Sequence, residues 1–157
     1  MTTGLVLAAG EGRRFGGPKQ LAPLRGRPLL AHAVATARDA GLDRVVVVLG
    51  ARADAVRAEV DLAGVEVAVC ENWAEGMSAS LRCGLEAAPT PGDAARAVYG
   101  GVPGHPVVLR AGLLARAGEL AGDAGFRALL GGATAVECGD LGDPRDIDTR
   151  DDLEVMR

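Results

Sequence analysis

The sequence is poor in aromatic residues: Phe, Trp and Tyr together make up 3% of its 157 residues. Single-stranded nucleic acid is held by stacking bases on aromatic side chains, so the composition argues against that partner. Positive charge is not in excess either. The net charge is −4 and no basic run occurs, which speaks against a nucleic-acid or anionic-membrane partner. No stretch approaches the roughly 18 uninterrupted apolar residues of a membrane span, and the first residues read as a strand rather than a signal peptide. The three cysteines, Cys70, Cys83 and Cys138, lie far apart and form no Cys-x-x-Cys pair. They read as reduced thiols in or near a core, and the expected location is cytoplasmic. Lysine is nearly missing, because all 17 basic residues except Lys19 are arginine.

Against these absences, a hydrophobic content of 48% with 24% charged residues is ordinary for a globular protein. The length suits one domain with a sizeable core, spanning residues 1–157. The stretch that organises the chain is Gly4 to Lys19. Leu5 to Ala9 is a short apolar run without alternation, which predicts a buried parallel strand. It breaks into a loop with four glycines (Gly10, Gly12, Gly16 and Gly17), two arginines and the single lysine. Glycine lets the backbone approach a ligand and take positive φ, so that successive N–H groups face an anion. Arginine adds bidentate donors for phosphate oxygens and lysine a compact point charge, which suits Lys19 to reach between phosphates. A strand running into such a loop is the arrangement of a polyphosphate site at the carboxyl end of a sheet strand. Two commoner phosphate loops are excluded by spacing. Gly12 and Gly17 are followed by Pro18 where a P-loop needs lysine, and Phe15 stands where the third glycine of Gly-x-Gly-x-x-Gly belongs.

Leu7-Ala8-Ala9-Gly10, with Gly12, Arg14, Phe15, Gly16 and Lys19 at their spacings, resembles the signature of MobA-like nucleotidyltransferases, the molybdenum-cofactor cytidylyl- and guanylyltransferase type. The resemblance implies a Rossmann-like α/β fold with a doubly wound, mostly parallel sheet. It also implies that Leu7, Ala8, Ala9, Gly10, Gly12, Arg14 and Lys19 bind a nucleoside triphosphate, Arg14 and Lys19 being catalytic. Leu-Ala-Ala-Gly is more typical of the cytidylyl enzymes, so Ala9 points to CTP over GTP, a side chain there narrowing the base pocket.

Downstream, Pro28 opens a predicted helix to about Ala40, closed by Gly41. Arg44 to Leu49 is a Val-rich strand, Asp54 to Val60 a helix and Val65 to Val69 a third strand. Gln20 to Arg27 reads as a connector. A helix is expected from Met77 to Ala87. Gly76-Met77-Ser78-Ala79-Ser80-Leu81 resembles the family's Gly-Met-Ser-x-Ser-Leu, which implies that Gly76, Ser78 and Ser80 help enclose the base and sugar. Serines at a helix start are equally good caps.

The family pattern then fails. No Asp-x-Pro strand follows this helix, and that aspartate is the family's metal ligand, so a central strand and a helix are expected to be missing. Asp93, in a Pro/Gly turn, is a weak stand-in. The resemblance resumes at Tyr99-Gly100-Gly101-Val102-Pro103-Gly104-His105-Pro106, which implies that Gly104 and His105 contact the acceptor, with His105 on a constrained turn. A helix is expected around Ala111 to Leu120 and a late strand over Ala133 to Cys138. Asp146-Ile147-Asp148-Thr149 resembles the family's Asp-Ile-Asp-Thr. Asp146 and Asp148 are then the best remaining carboxylates for Mg2+. Thr149 with Asp152 has capping-box spacing.

The activity implied is transfer of CMP or GMP from the triphosphate to a phosphorylated acceptor such as molybdopterin, with release of pyrophosphate. Two alternatives stand beside it. One is a catalytically impaired nucleotide-binding protein of the same fold; the other is a sugar-1-phosphate nucleotidylyltransferase.

Overall fold

The computed structural model describes residues 3–87, 95–99, 102–108, 115–123, 125, 130, 134–138, 140 and 145–156. The N-terminal half alternates strand and helix. Strand β1 (Thr3–Ala8) is followed by a small hairpin of β2 (Pro23–Leu24) and β3 (Arg27–Pro28), then helix α1 (Leu29–Asp39), β4 (Arg44–Leu49), α2 (Ala53–Glu59), β5 (Glu66–Val69) and α3 (Met77–Ala87). Strand β4 runs parallel to β1 on one side and to β5 on the other, with Leu7 opposite Val48 and Val47 opposite Val67.

A strand between two others and between two helical layers has no wet face, which is why Val46 to Leu49 need not alternate. All four are fully inaccessible. Because successive side chains point to opposite faces, Val47 and Leu49 meet Leu30 and Val34 of α1 and Val56 of α2. Val48 points the other way, toward α3. There Gly84 lies so near the sheet that a Cβ would stand 2.8 Å from a Val48 methyl. Helices on both faces of a parallel sheet make the doubly wound α/β fold expected from the sequence.

The remaining elements are β6 (Ala95–Tyr99), β7 (Val102–Val108), β8 (Thr134–Glu137) and the last helix α4 (Arg150–Val155). Strand β6 is central in a second sheet, antiparallel to β7 and parallel to β8. Among the described residues, β1 is hydrogen-bonded on one side only and the two three-stranded sheets do not share a ladder. A chain without its central strand is expected to leave such open edges.

Several boundaries differ from expectation. The chain reverses between Tyr99 and Val102, which pair with each other. Gly104 and His105 therefore continue as strand in β7 rather than sitting on a turn. Among the described residues β7 is an edge strand, a place in a sheet where prolines such as Pro103 and Pro106 are tolerated. The segment after the loop is not a plain connector: Lys19–Leu21 is a single 3-10 turn, and β2 and β3 follow. Pro28 is the cap of α1 rather than its first residue. Of the expected helix 111–120, only a 3-10 turn over Ala115–Glu119 is described. Asp93 lies outside the described residues.

The edge of the first sheet is held by a charged fork. Arg44 donates to Glu66 across β4 and β5 at 2.8 and 2.6 Å, and to the carbonyl of Ala87 at 3.2 Å. Hydrogen bonding to Arg44 keeps the Glu66 carboxyl below its ordinary 4.5. A carboxylate depressed on folding adds stability above its unfolded pKa and loses it as pH falls through the folded value. The pair is largely exposed, so its contribution is modest and screened. Chemical denaturation of wild type and Glu66→Gln should show a stability gap at pH 7. That gap should close below about pH 4.5 and narrow in roughly 1 M salt.

Candidate functional site

The carboxyl end of β1 opens into the loop singled out by the sequence. Ala9 is buried against Val48, Cys70 and Ala79, at the root of α3, and its carbonyl accepts from the N–H of Ala51 at 2.9 Å. Gly12 has φ of +74°, and its carbonyl accepts from the N–H groups of Gly16 (2.9 Å) and Gly17 (3.2 Å). A Cβ at Gly12 would stand 2.0 Å from the Gly17 carbonyl oxygen, so the turn admits no side chain there. Gly10 is different: a Cβ there would meet nothing within 4 Å. The fold does not require that glycine, whereas a ligand approaching the backbone would.

Phe15 turns inward from the loop and packs with Ala22, Leu24 and Leu153, flanked by Leu29, Ile147 and Met156. The Arg150 guanidinium stands 5.2 Å over its ring. With Phe15 buried, Arg13 and Arg14 stay on the outer side, where Arg13 pairs with Glu11 at 3.0 Å. The cluster also draws the C-terminal segment against the loop. Asp148 Oδ1 accepts from Lys19 Nζ at 3.2 Å, and Asp148 Oδ2 pairs with Arg14 at 3.1 Å. Lys19 Nζ also donates to the carbonyl of Ile147. The two cations named from sequence thus converge on one carboxylate. Asp146, two residues earlier, is exposed to solvent and only Asp148 meets the loop.

Asp148 is itself held from below. The Asp152 carboxylate accepts from the N–H of Asp148 (3.0 Å) and from the N–H and hydroxyl of Thr149 (2.7 Å each). The N–H of Asp152 donates back to the Thr149 hydroxyl at 3.2 Å, completing the capping box of α4. These donors, the Thr149 hydroxyl first and the Lys19 charge least, hold the Asp152 carboxyl below its ordinary value.

One residue of the site was not visible as functional in the sequence. The Gln20 amide nitrogen donates to the carbonyls of Ala8 and Gly10 at 2.7 Å each, pinning both ends of the strand-to-loop break. Gln20 is 9% exposed, and its Oε1 has no partner among the described residues. The signal available was a polar residue between Lys19 and the apolar Leu21 and Ala22. In a segment read as a connector, it carried no weight.

The other expected site residues are placed as follows. Leu7 is partly exposed on β1. Gly76, with φ of +113°, comes so near Gly122 that a Cβ would stand 2.5 Å from its carbonyl. The Ser78 N–H donates to that same carbonyl at 3.0 Å. The side chains of Ser78 and Ser80 are buried rather than facing an open cleft, because the 115–122 segment covers the start of α3. Gly104 and His105 lie on β7 by their backbone, and the His105 side chain is outside the described part. Among the described residues, no three His, Cys, Asp or Glu side chains gather as a metal cluster, and no helix is long and apolar enough to cross a membrane.

Replacing Gln20 by Met keeps its volume but removes both donors, leaving two buried or half-buried carbonyls unpaired. Denaturation of Gln20→Met should show a loss of about 1–3 kcal/mol. Gln20→Ala, which lets water reach the carbonyls, should cost no more than that.

Comparison with known proteins identifies the family. The family model for the MobA-like NTP transferase domain matches residues 4–92. The chain is 35% identical to "Nicotine blue oxidoreductase" of Paenarthrobacter nicotinovorans over 187 aligned positions, covering 94% of this chain and 92% of that one. Those positions exceed the 157 residues here, so the relative carries residues with no counterpart. The chain is also 39% identical to "Bifunctional protein GlmU" of Burkholderia thailandensis over 127 residues, 80% of this chain but only 27% of that protein. Among solved structures, Rv0371C of Mycobacterium tuberculosis, crystallised in complex with manganese, superposes with a TM-score of 0.80 at 29% identity, covering 99% of this chain and 98% of that one. On the family match over more than half its residues and kinship along nearly its whole length, this chain belongs to the MobA-like NTP transferase domain family.

Proposed function

We propose that the chain is a nucleotidyltransferase that moves CMP, in preference to GMP, from the nucleoside triphosphate to a phosphorylated acceptor of the molybdopterin type, releasing pyrophosphate. The observation that carries this reading is the convergence of Arg14 and Lys19 on one point beside the Gly12 turn. Two cations side by side at a glycine-rich loop suit a chain of phosphates.

In the proposed reaction an oxygen of the acceptor phosphate attacks the α-phosphorus in line, and the bond to pyrophosphate breaks. The nucleophile is already anionic, so no general base is required of His105. The protein's part is to hold the phosphates in line and to balance the charge that spreads over the α-phosphoryl oxygens and the leaving group. Arg14 is suited to grip two oxygens at once and Lys19 to sit between phosphates. Gln20 acts through the backbone by fixing where the loop leaves β1. Gly104 and His105 are proposed on the acceptor side, and Gly76, Ser78 and Ser80 on the nucleoside side. With both hydroxyls buried, the serines act by shaping the start of α3.

A divalent cation, Mg2+ or Mn2+, fits the residues present, since one or two carboxylates together with phosphate oxygens suffice. Asp148 would hold it, with Asp146 the second carboxylate of the same segment, and when bound it supplies further charge neutralisation. The Ala9 methyl packs against Ala79 inside the core. Its preference for cytosine is therefore proposed to act through the position of α3.

A second reading, a nucleotide-binding protein of this fold without transfer activity, is favoured by one observation. The sequence has no Asp-x-Pro, and the alignment with the longer relative contains positions without a counterpart here. The decisive experiment is pyrophosphate release with CTP, Mg2+ and molybdopterin. Turnover supports transfer, whereas binding without turnover supports the second reading.

Two expectations follow. By calorimetry, Lys19→Ala should weaken CTP binding by about 1.5–3 kcal/mol, the cost of a lost charged hydrogen bond; equal affinities would remove the phosphate site. CTP should bind more tightly than GTP, and Ala9→Gly should relax that preference. A wild-type protein that favours GTP would overturn the cytidylyl assignment.

A further inference from the structure

We infer that Asp148 is an internal counter-anion: its carboxylate occupies Arg14 and Lys19, and a triphosphate has to displace it before the two cations grip phosphate. The inference rests on the nucleotide-binding reading above and adds a resident competitor to that site. Its two oxygens are divided between the two cations, Oδ1 to Lys19 at 3.2 Å and Oδ2 to Arg14 at 3.1 Å. A phosphate would present the same pair of acceptors to the same donors.

The placement is built into the fold. The Asp148 N–H is tied to the Asp152 carboxylate, the Ile147 side chain is packed in the Phe15 cluster, and the Ile147 carbonyl takes a further hydrogen bond from Lys19. The carboxylate is thus held beside the loop by its neighbours on both sides along the chain. Displacement is nevertheless cheap. The Arg14 side chain is 77% exposed and those of Lys19 and Asp148 are 39% and 36% exposed, so each ion pair belongs to the weak, solvent-screened kind.

The two states use the carboxylate differently. Without metal, Asp148 and the triphosphate are both anions competing for two cations, and the aspartate opposes binding. With metal, a displaced carboxylate lies next to the phosphates and is able to hold the cation they share. Neutralising Asp148 therefore has opposite effects under the two conditions. A purely structural residue would weaken binding in both, and a residue that served only as metal ligand would leave metal-free binding unchanged.

The test is calorimetry of CTP and of GTP on the full chain, first in EDTA and then with Mg2+ or Mn2+, for wild type, Asp148→Asn and Asp151→Asn. Asp151 is exposed on the same segment and touches neither cation, so its variant reports the effect of net charge alone. Asp148→Asn should bind the metal-free triphosphate about three- to tenfold more tightly than wild type. It should also gain less affinity on adding metal. Metal-free affinity that is unchanged or weaker in Asp148→Asn overturns the proposal, as does an equal gain in Asp151→Asn. Failure of the underlying site is a separate outcome, seen when wild type and Lys19→Ala bind alike. The capping contact to Asp152 uses the backbone of residue 148, so the fold is expected to tolerate asparagine; Asp148→Ala serves as the second variant and should show the same gain.

Discussion

Burial of Phe15 against the last helix is the contact on which the rest of the site depends. It joins residue 15 to residue 153, and by doing so fixes three things at once: which side of the loop faces solvent, where α4 begins, and where the Asp148 side chain ends. Fully burying a phenylalanine side chain contributes about 1.5–3 kcal/mol. An exposed ion pair such as those of Arg14 and Lys19 with Asp148 contributes about 0.2–1 kcal/mol. The apolar contact therefore sets the geometry and the ion pairs adjust it. That division of labour suits a binding site, since weak ionic contacts can be exchanged for a ligand while the apolar anchor stays.

The strand-to-loop break relies on backbone rather than on side-chain charge. Gly12 closes against Gly17 at a distance no Cβ permits, and Gln20 ties the carbonyls on either side of the break. These groups fix the orientation of the loop from within the fold. A site whose donors are already aimed spends less binding free energy on ordering them.

The sheet tells a complementary story about what the chain lacks. Strand β4 is covered on both faces and paired on both edges, whereas among the described residues β1 is paired on one edge only. The carboxyl end of β1 is nonetheless well held, through Ala51 at the Ala9 carbonyl and through Ala79 and Val48 around the Ala9 methyl. The phosphate loop is thus braced from β4, α3 and α4, none of which depends on the absent strand. The geometry of the proposed phosphate loop and the fold's central strand are separable in this chain for that reason.

Much of this was readable from local pattern. The parallel strands at Leu5 and Val45, the Gly-rich break after Ala9, the helix from Met77 to Ala87 and the capping box at Thr149 all follow from rules that span a few residues. The burial expected of Leu5 to Ala9 does not hold throughout: only Ala8 and Ala9 are buried, and Leu7 is exposed, because β1 is paired on one side only among the described residues. The failures share one cause. His105 was expected on a turn because glycine and proline flank it, yet pairing between Tyr99 and Val102 sets the reversal earlier and leaves those residues in an edge strand. Ser78 and Ser80 were read as open groups at a helix start, and the fold buries their side chains. Gln20 looked like filler until β1 ended against its amide. The sequence by itself determined the alternation of strand and helix, the phosphate-type loop and the identity of its cations, because periodicity, glycine content and charge are local properties. Only the tertiary structure decided that Arg14 and Lys19 share the carboxylate of Asp148, rather than of Asp146. That choice depends on Phe15 and Leu153 meeting across nearly the whole length of the chain, and no local rule reaches so far.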